Sequence, residues 1–97
     1  MDYLGCDIIF FNKWLNFTKT YYVFDNDSKL HIDHFIPASK FDYKDKNSVK
    51  KAENWRNKRY LSAKDNLEKS AKLPTFDEEI KHFVLIILFE AINKIDI

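Results

Sequence analysis

A polar, aperiodic stretch between two short strand-like segments constrains the fold of this chain most. Lys29 to Phe35 and Lys58 to Leu61 are predicted strands. Residues 39–54 between them are charged and follow no helical or strand period, so they predict a loop, with one helical turn as the alternative. Tyr21 to Phe24, rich in aromatic and β-branched side chains, predicts a further strand before the turn-forming residues 25–28. Short strands joined by polar connections are therefore the centre of the predicted fold.

Capping residues predict two helices next to these strands. Asp7 caps a predicted helix that runs to about Phe17. Ser62 begins a capping box directly after the last strand. The helix that this box opens ends near Lys72, because Pro74 disfavours helical backbone in the residue before it.

A second capping box, from Thr75 to Glu78, opens a long C-terminal helix over about residues 75–95. One apolar stripe of this helix comprises Ile80, Phe83, Val84, Ile87, Leu88, Ala91, Ile92 and Ile95, and the apolar residues Leu85, Ile86 and Phe89 lie outside it. A helix that is apolar on more than one face is either buried centrally or pairs its second face with another copy. A homodimer through the C-terminal helix is therefore one of two open alternatives.

The length of 97 residues suits one compact domain and is too short for two. The predicted architecture is α+β: a core of two strands and a helix over about residues 20–73, flanked by an N-terminal helix and the long C-terminal helix. We expect residues 1–97 to form a single domain.

Composition excludes several classes of protein. The single glycine, Gly5, excludes the glycine-rich loops that cradle phosphates, and the single cysteine, Cys6, excludes disulfide frameworks and cysteine-based zinc sites. No stretch approaches the ~18 to 20 apolar residues needed to cross a bilayer. The first residues lack the basic segment of a signal peptide. The sequence predicts an intracellular protein that is neither secreted nor inserted in a membrane.

The net charge of +1 hides an uneven distribution along the chain. Residues 40–72 contain eleven Lys and Arg against five Asp and Glu, a net of +6, whereas the rest of the chain carries five bases and ten acids, a net of −5. A basic middle between acidic ends indicates a face for a polyanion. The alternative is a solvated, lysine-rich loop.

The chemistry-bearing side chains concentrate in one strand and in the helix after the second strand. Strand alternation places His31 and Asp33 on one side and His34 on the other. Packing of the helix on the strands would bring Asn66 beside Asp33, and a carboxylate with an amide oxygen suits Mg²⁺ or Mn²⁺. A neutral histidine next to such an ion can deprotonate water near pH 7. Taken singly, each of these residues, and Asn57 before the second strand, also has an ordinary structural explanation.

Together these residues form a recognisable pattern. The segments Leu30-His-Ile-Asp-His-Phe-Ile-Pro-Ala-Ser39 and Asn54-Trp-Arg-Asn-Lys-Arg-Tyr-Leu-Ser-Ala-Lys-Asp-Asn-Leu-Glu-Lys-Ser70 resemble the HNH endonucleases of the ββα-metal superfamily. The likeness is closest to small free-standing HNH proteins of large DNA viruses and phages. It covers most of residues 4–72, and the last helix has no clear counterpart.

The resemblance implies a role for each matched position. His34 matches the general base that activates the attacking water, and Asn57 matches the middle asparagine, which orients that histidine and its loop; these are the two catalytic positions. Asp33 and Asn66 match the protein ligands of one divalent metal ion, Mg²⁺ or Mn²⁺. The ion contacts the scissile phosphate and stabilises the leaving oxygen.

The basic residues around the motif are expected to bind DNA phosphates. They are Lys44, Lys46, Lys50, Lys51, Arg56, Lys58, Arg59 and Lys69. Two other roles stay open: His31 either supports Asp33 or is a plain strand residue, and Trp55 either belongs to the core or contacts DNA. Tyr60 stands where the family often has proline, a departure that bears on DNA-contact geometry rather than on the catalytic positions.

The sequence thus predicts a metal-dependent HNH endonuclease that hydrolyses DNA by nicking or double-strand cleavage, in the cytoplasm or nucleus of a host cell. The alternative is a catalytically silent HNH-like module that binds DNA or docks a partner. Salt dependence separates the docking module from the others, because phosphate neutralisation makes DNA binding weaken steeply with added salt.

Overall fold

Residues 3–24 and 29–95, the part of the chain that the computed structural model describes, form four α-helices and one two-stranded antiparallel sheet. In chain order the elements are α1 (Ile8–Tyr22), β1 (Leu30–His34), α2 (Lys46–Glu53), β2 (Lys58–Ser62), α3 (Ala63–Lys69) and α4 (Phe76–Ile95). Short 3₁₀ turns stand at Ala38–Lys40 and Trp55–Asn57. The predicted α+β class is confirmed.

The sheet consists of two five-residue strands that lie side by side, and every residue of one strand pairs with a residue of the other. Leu30 lies opposite Ser62 and His34 lies opposite Lys58, so the strands pair antiparallel over their whole length. The outer edge of β2 is closed by α1: the Trp14 indole donates to the carbonyl of Lys58 at 2.6 Å, and the Thr18 hydroxyl accepts from the amide of Tyr60 at 3.0 Å. Because edge groups of a sheet need partners, these two bonds fix the first helix on the second strand.

The predicted strand at Tyr21 to Phe24 is wrong, because α1 continues through Tyr22. The helix ends where the amide of Val23 donates to the carbonyl of Lys19 at 3.0 Å. Tyr22 is held in the helix by tertiary contacts, since its ring lies under the guanidinium of Arg59 at 4.4 Å. Packing here outweighs the strand propensity of aromatic residues. The predicted turn at residues 25–28 lies outside the described residues.

The predicted loop at residues 39–54 contains the two-turn helix α2. This helix is longer than the single helical turn that the sequence predicted as the alternative to a loop. Asp45 caps it by accepting from the amide of Asn47 at 3.3 Å and from the hydroxyl of Ser48 at 3.1 Å. Ala52 is the one residue of α2 that is fully buried. Because Ala52 is the one buried side chain of α2, the sequence of this helix shows no repeating pattern of apolar residues.

The core lies between α1, the Trp55 turn and α4. Its buried side chains are Phe11, Trp14, Leu15, Trp55, Leu85 and Phe89. The rings of Trp14 and Trp55 meet edge to face at 5.1 Å, so Trp55 is a core residue. Gly5 permits this packing: its φ is +75°, and a Cβ atom there would come within 2.7 Å of Nδ2 of Asn54.

The predicted caps of the last two helices are confirmed. Ser62 accepts from the amide of Asp65 at 3.1 Å, and Thr75 and Glu78 form a reciprocal box with two bonds of 3.2 Å. The helix after Ser62 ends at Lys69, slightly earlier than predicted, because Ser70 adopts a φ of +50°. No helix in the described ranges has both the length and the apolar character to cross a bilayer.

Candidate active site

Strand β1 presents its polar side chains to two different helices. On one side, Asp33 lies 3.1 Å from Nζ of Lys69, and His31 lies 3.2 Å from the side-chain amide of Asn66, both on α3. On the other side, Nε2 of His34 lies 2.7 Å from Oε2 of Glu53 at the end of α2. The alternation expected from the sequence therefore separates two neighbouring polar clusters.

The Asp33 carboxylate is buried, with 6% of its surface exposed, and is paired with two cations. Nε of Arg59 donates to Oδ2 at 3.0 Å, and Nζ of Lys69 donates to Oδ1 at 3.1 Å. The Arg59 guanidinium also lies over the rings of Tyr22 and Phe35, at 4.4 and 5.0 Å. Because a buried charge needs a partner, this cluster is a structural anchor as well as a candidate site.

The His34 imidazole is partly exposed and is held at one nitrogen by a carboxylate. Oε2 of Glu53 lies 2.7 Å from Nε2 of His34 and also accepts from the hydroxyl of Tyr43 at 3.0 Å. Oε1 of Glu53 accepts from Nζ of Lys58 at 2.9 Å. An ionised carboxylate only accepts hydrogen bonds, so it favours the tautomer in which Nε2 carries the proton and Nδ1 carries the lone pair.

Glu53 remains ionised over a wide pH range. Burial alone would raise the pKa of its carboxyl, but the hydrogen bonds and charges of Lys58 and His34 outweigh burial and lower the pKa to about 2. The histidine therefore faces a full negative charge at every pH at which the protein is expected to fold.

Glu53 is one of the five acids of residues 40–72, and no motif of the sequence identifies it as a site residue. One signal was present: Glu53 is the only acidic residue between Asp45 and Asp65. It is brought to His34 by α2, the helix that the sequence did not predict at its full length. The position of this side chain therefore depends on an element without a clear sequence signature.

Asn57 joins the ends of three segments. Its Oδ1 accepts from the amide of Ile36 at 2.8 Å, and its Nδ2 donates to the carbonyls of Ile36 and Ala52 at 3.1 and 3.0 Å. The amide of Phe35 in turn donates to the carbonyl of Asn57 at 2.8 Å. These bonds fix the chain leaving His34 against the end of α2, where Glu53 stands. Asn57 is thus placed to orient the loop, and it acts through its neighbours.

The predicted metal ligands Asp33 and Asn66 face the same interface between the sheet and α3, next to His31. Among the described residues, no group of three or more His, Cys, Asp or Glu side chains is arranged to hold a metal ion. A cation does occupy this place, however: the Lys69 ammonium donates to Oδ1 of Asp33 at 3.1 Å and to the carbonyl of His34 at 2.6 Å. The two oxygen atoms that bind this ammonium are of the type that a hard metal ion prefers as ligands. A metal ion could take this position only if the Lys69 side chain moved away.

The predicted DNA-binding residues divide into two groups. Lys44, Lys46, Lys50 and Lys51 are exposed on and before α2. Arg56 is exposed too, although it lies over the Trp55 ring at 4.5 Å and reaches Glu90 at 3.5 Å. Lys58, Arg59 and Lys69 are engaged in ion pairs with Glu53 or Asp33. The four exposed lysines take no part in these ion pairs with Glu53 and Asp33. Lys58, Arg59 and Lys69 could contact a phosphate only after their ion pairs break.

His82 is a second residue of this region that no sequence motif identifies. It is 3% exposed; its Nε2 lies 2.7 Å from the carbonyl of Arg56, its Nδ1 lies 2.8 Å from the hydroxyl of Tyr22, and its ring stacks on Phe35 at 4.0 Å. Burial is the main cause that lowers the pKa of His82 to about 4. Both ring nitrogens of the neutral His82 have hydrogen-bond partners, and its ring packs against Phe35 just after the end of β1, so His82 has a structural role.

Comparisons with known proteins find relatives in Acanthamoeba polyphaga mimivirus. The chain is 34% identical over 96 residues to an uncharacterized protein of Acanthamoeba polyphaga mimivirus, covering 92% of this chain and 40% of the relative. It is 32% identical over 90 residues to another uncharacterized protein of the same virus, covering 91% of this chain and 39% of the relative. The chain thus spans about two fifths of the length of these relatives. No protein-family model matches it, and no solved structure matches it.

Proposed function

We propose that this chain is a metal-dependent HNH endonuclease that hydrolyses phosphodiester bonds of DNA, with a ββα-metal core formed by β1, β2 and α3. The contact between His34 and Glu53 carries the proposal. A histidine whose one nitrogen is bonded to an ionised carboxylate is oriented and electrostatically prepared to take a proton at the other. The short hairpin, the clamp by Asn57 and the neighbouring Asp33 add support.

The chain's own residues perform three tasks in this mechanism. Nδ1 of His34 accepts the proton of the attacking water, and the charge of Glu53 stabilises the imidazolium that results. Asn57 keeps the strand end and α2 at a fixed separation, which preserves the distance of 2.7 Å between the two side chains. One divalent ion held by Asp33 and Asn66, Mg²⁺ or Mn²⁺, would supply Lewis-acid stabilisation of the scissile phosphate when bound.

Relaxation of supercoiled plasmid in Mg²⁺ or Mn²⁺, with and without a chelator, tests the proposal. We expect His34→Ala to abolish cleavage and Glu53→Gln to slow it by about 100-fold, the lower range for general acid–base catalysis. Glu68→Gln is the matched control, because Glu68 is exposed on α3, and it should cleave like the wild type. Cleavage that survives His34→Ala or persists in chelator would refute this mechanism.

One observation favours a second candidate, a catalytically silent module that binds DNA. Asp33 already has two cationic partners, so its charge is neutralised without a metal ion. The exposed lysines at positions 44, 46, 50 and 51 would still neutralise about four phosphates, which corresponds to a slope of roughly −3.6 in a plot of log affinity against log salt. Binding with this salt dependence in the absence of any cleavage would favour the silent module.

A further inference from the structure

The long helix α4 has two opposite apolar faces, and the protein uses only one of them. Leu85 and Phe89 point into the core and are 6% and 4% exposed. The opposite face carries six large apolar side chains that are each 44–62% exposed: Ile80, Phe83, Val84, Ile87, Leu88 and Ile92. The helix is therefore not buried centrally, which removes one of the two explanations for its all-round apolar character.

The exposed side chains are contiguous and follow a packing pattern. Ile80, Val84, Ile87 and Ala91 are separated by four, three and four residues, the alternation of a seam between two helices. Apolar patches of ordinary monomers reach about 300–600 Å², and larger ones mark interaction sites. The seam runs along most of the helix, and roughly half of the surface of each of the six large side chains stays exposed.

The charges at the two ends of α4 indicate what covers this face. The first turn carries Asp77, Glu78 and Glu79, and the last turn carries Lys94. An antiparallel copy of the same helix would bring each acidic turn to the basic turn of the other helix and would oppose the two helix dipoles favourably. A parallel copy would place acid against acid. The face is thus complementary to itself in one orientation.

We propose that two copies of this chain form a symmetric dimer in which the outer faces of α4 pack antiparallel. The seam from Ile80 to Ala91 has its midpoint between Val84 and Ile87, so a two-fold axis passes there and brings Ile87 of each copy against Val84 of the other. The proposal is independent of the nuclease activity, since it uses no residue of the His34 or Asp33 clusters. If that activity also holds, one dimer carries two cleavage sites.

Light scattering coupled to size exclusion, over a range of concentrations, tests the dimer. The wild type should elute with the mass of two chains, and Ile87→Glu should give a monomer, because each dimer would bury two carboxylates against the apolar face of the other copy without a partner. Leu67→Glu is the matched control: Leu67 is 82% exposed on α3, so the same change outside the face should leave the dimer intact. Circular dichroism that is unchanged in both variants verifies their folding.

Charge exchange tests the orientation. Lys94→Glu should weaken the dimer at least several-fold, and adding Asp77→Lys should restore it, because Asp77 and Lys94 continue the spacing of the seam at its two ends and the reversed ends again pair with opposite charge. A double variant that is weaker than Lys94→Glu would refute the antiparallel arrangement. A wild type that is monomeric at every concentration, or that binds another protein chain through this face while remaining a single copy, would overturn the proposal.

Discussion

Asp33 and His34 are neighbours in one strand, yet they lie in opposite environments. The Asp33 carboxylate is buried under α3 and carries two cationic partners, Arg59 and Lys69. The His34 imidazole is partly open to solvent and has one anionic partner, Glu53. On the first side the surroundings carry an excess positive charge, and on the second they supply a negative charge next to a titratable ring.

This difference separates a cluster that stabilises the fold from the one to which the proposed function assigns the proton transfer. A buried ion pair with two donors holds its elements rigidly, and removal of one member leaves uncompensated charge. The His34 imidazole is partly exposed, and one ordered carboxylate fixes its orientation. The β1 strand combines both because its alternation assigns successive residues to opposite faces.

The largest expected effect is on the Asp33 side. Asp33→Ala removes the partner of Arg59 and Lys69, so we expect a loss of about 3–5 kcal/mol in the free energy of unfolding, typical for breaking a buried pair. Urea denaturation at pH 7 measures it. Asp65→Ala, on the exposed surface of α3, is the control for loss of one acid. A loss at Asp33 no greater than that at Asp65 would remove the distinction between the two sides.

A smaller loss of stability is expected on lowering the pH, and it should occur in one pH range for the Asp33 side and in a lower pH range for the His34 side. Burial lowers the pKa of His82, beneath the Arg59 side, to about 4 in the folded protein. Between pH 6.5 and 4 the unfolded chain binds a proton at His82 that the folded chain does not bind. As the pH is lowered through this range, the free energy of unfolding therefore decreases by on the order of 3 kcal/mol. The Glu53 carboxyl, with a pKa near 2, loses its contribution only below pH 4.5.

Denaturation midpoints at a series of pH values measure both windows. His82→Gln should flatten the dependence between pH 6.5 and 4, and Glu53→Gln should flatten it only below pH 4.5. The groups that face His82 are the carbonyl of Arg56, the hydroxyl of Tyr22 and the charges of Arg59 and Asp33. Parallel curves for the wild type and His82→Gln in the upper window would contradict this assignment.

The sequence predicted those parts of the fold that rest on local chemistry. The caps at Asp7, Ser62 and Thr75 satisfy backbone groups of their own helices, so their signal lies within a few residues. Long-range contacts carry no such signal. Tyr22 is helical because of Arg59, and the α2 helix rests on the burial of Ala52.

The candidate site follows the same rule. The Asp33 and His34 faces follow from strand alternation, and the sequence indicates them directly. The partners of these residues do not follow from it: Glu53 reaches His34 across nineteen positions, and Arg59 reaches Asp33 across the hairpin. The partners decide the chemistry of the two sides, because they set the local charge.

The smallest expected effect tests whether the Asp33 side can change from an anchor to a metal site. Lys69→Met removes the ammonium that lies between Oδ1 of Asp33 and the carbonyl of His34, while Arg59 remains to hold the carboxylate. Loss of one nearby positive charge is worth about 1–4 kcal/mol, so Mn²⁺ should bind at least about fivefold more tightly in calorimetry. Lys72→Met, exposed just beyond α3, should leave the affinity unchanged. Equal or weaker Mn²⁺ binding in Lys69→Met would mean that the ammonium belongs to the site permanently, and the Asp33 cluster would then be an anchor alone.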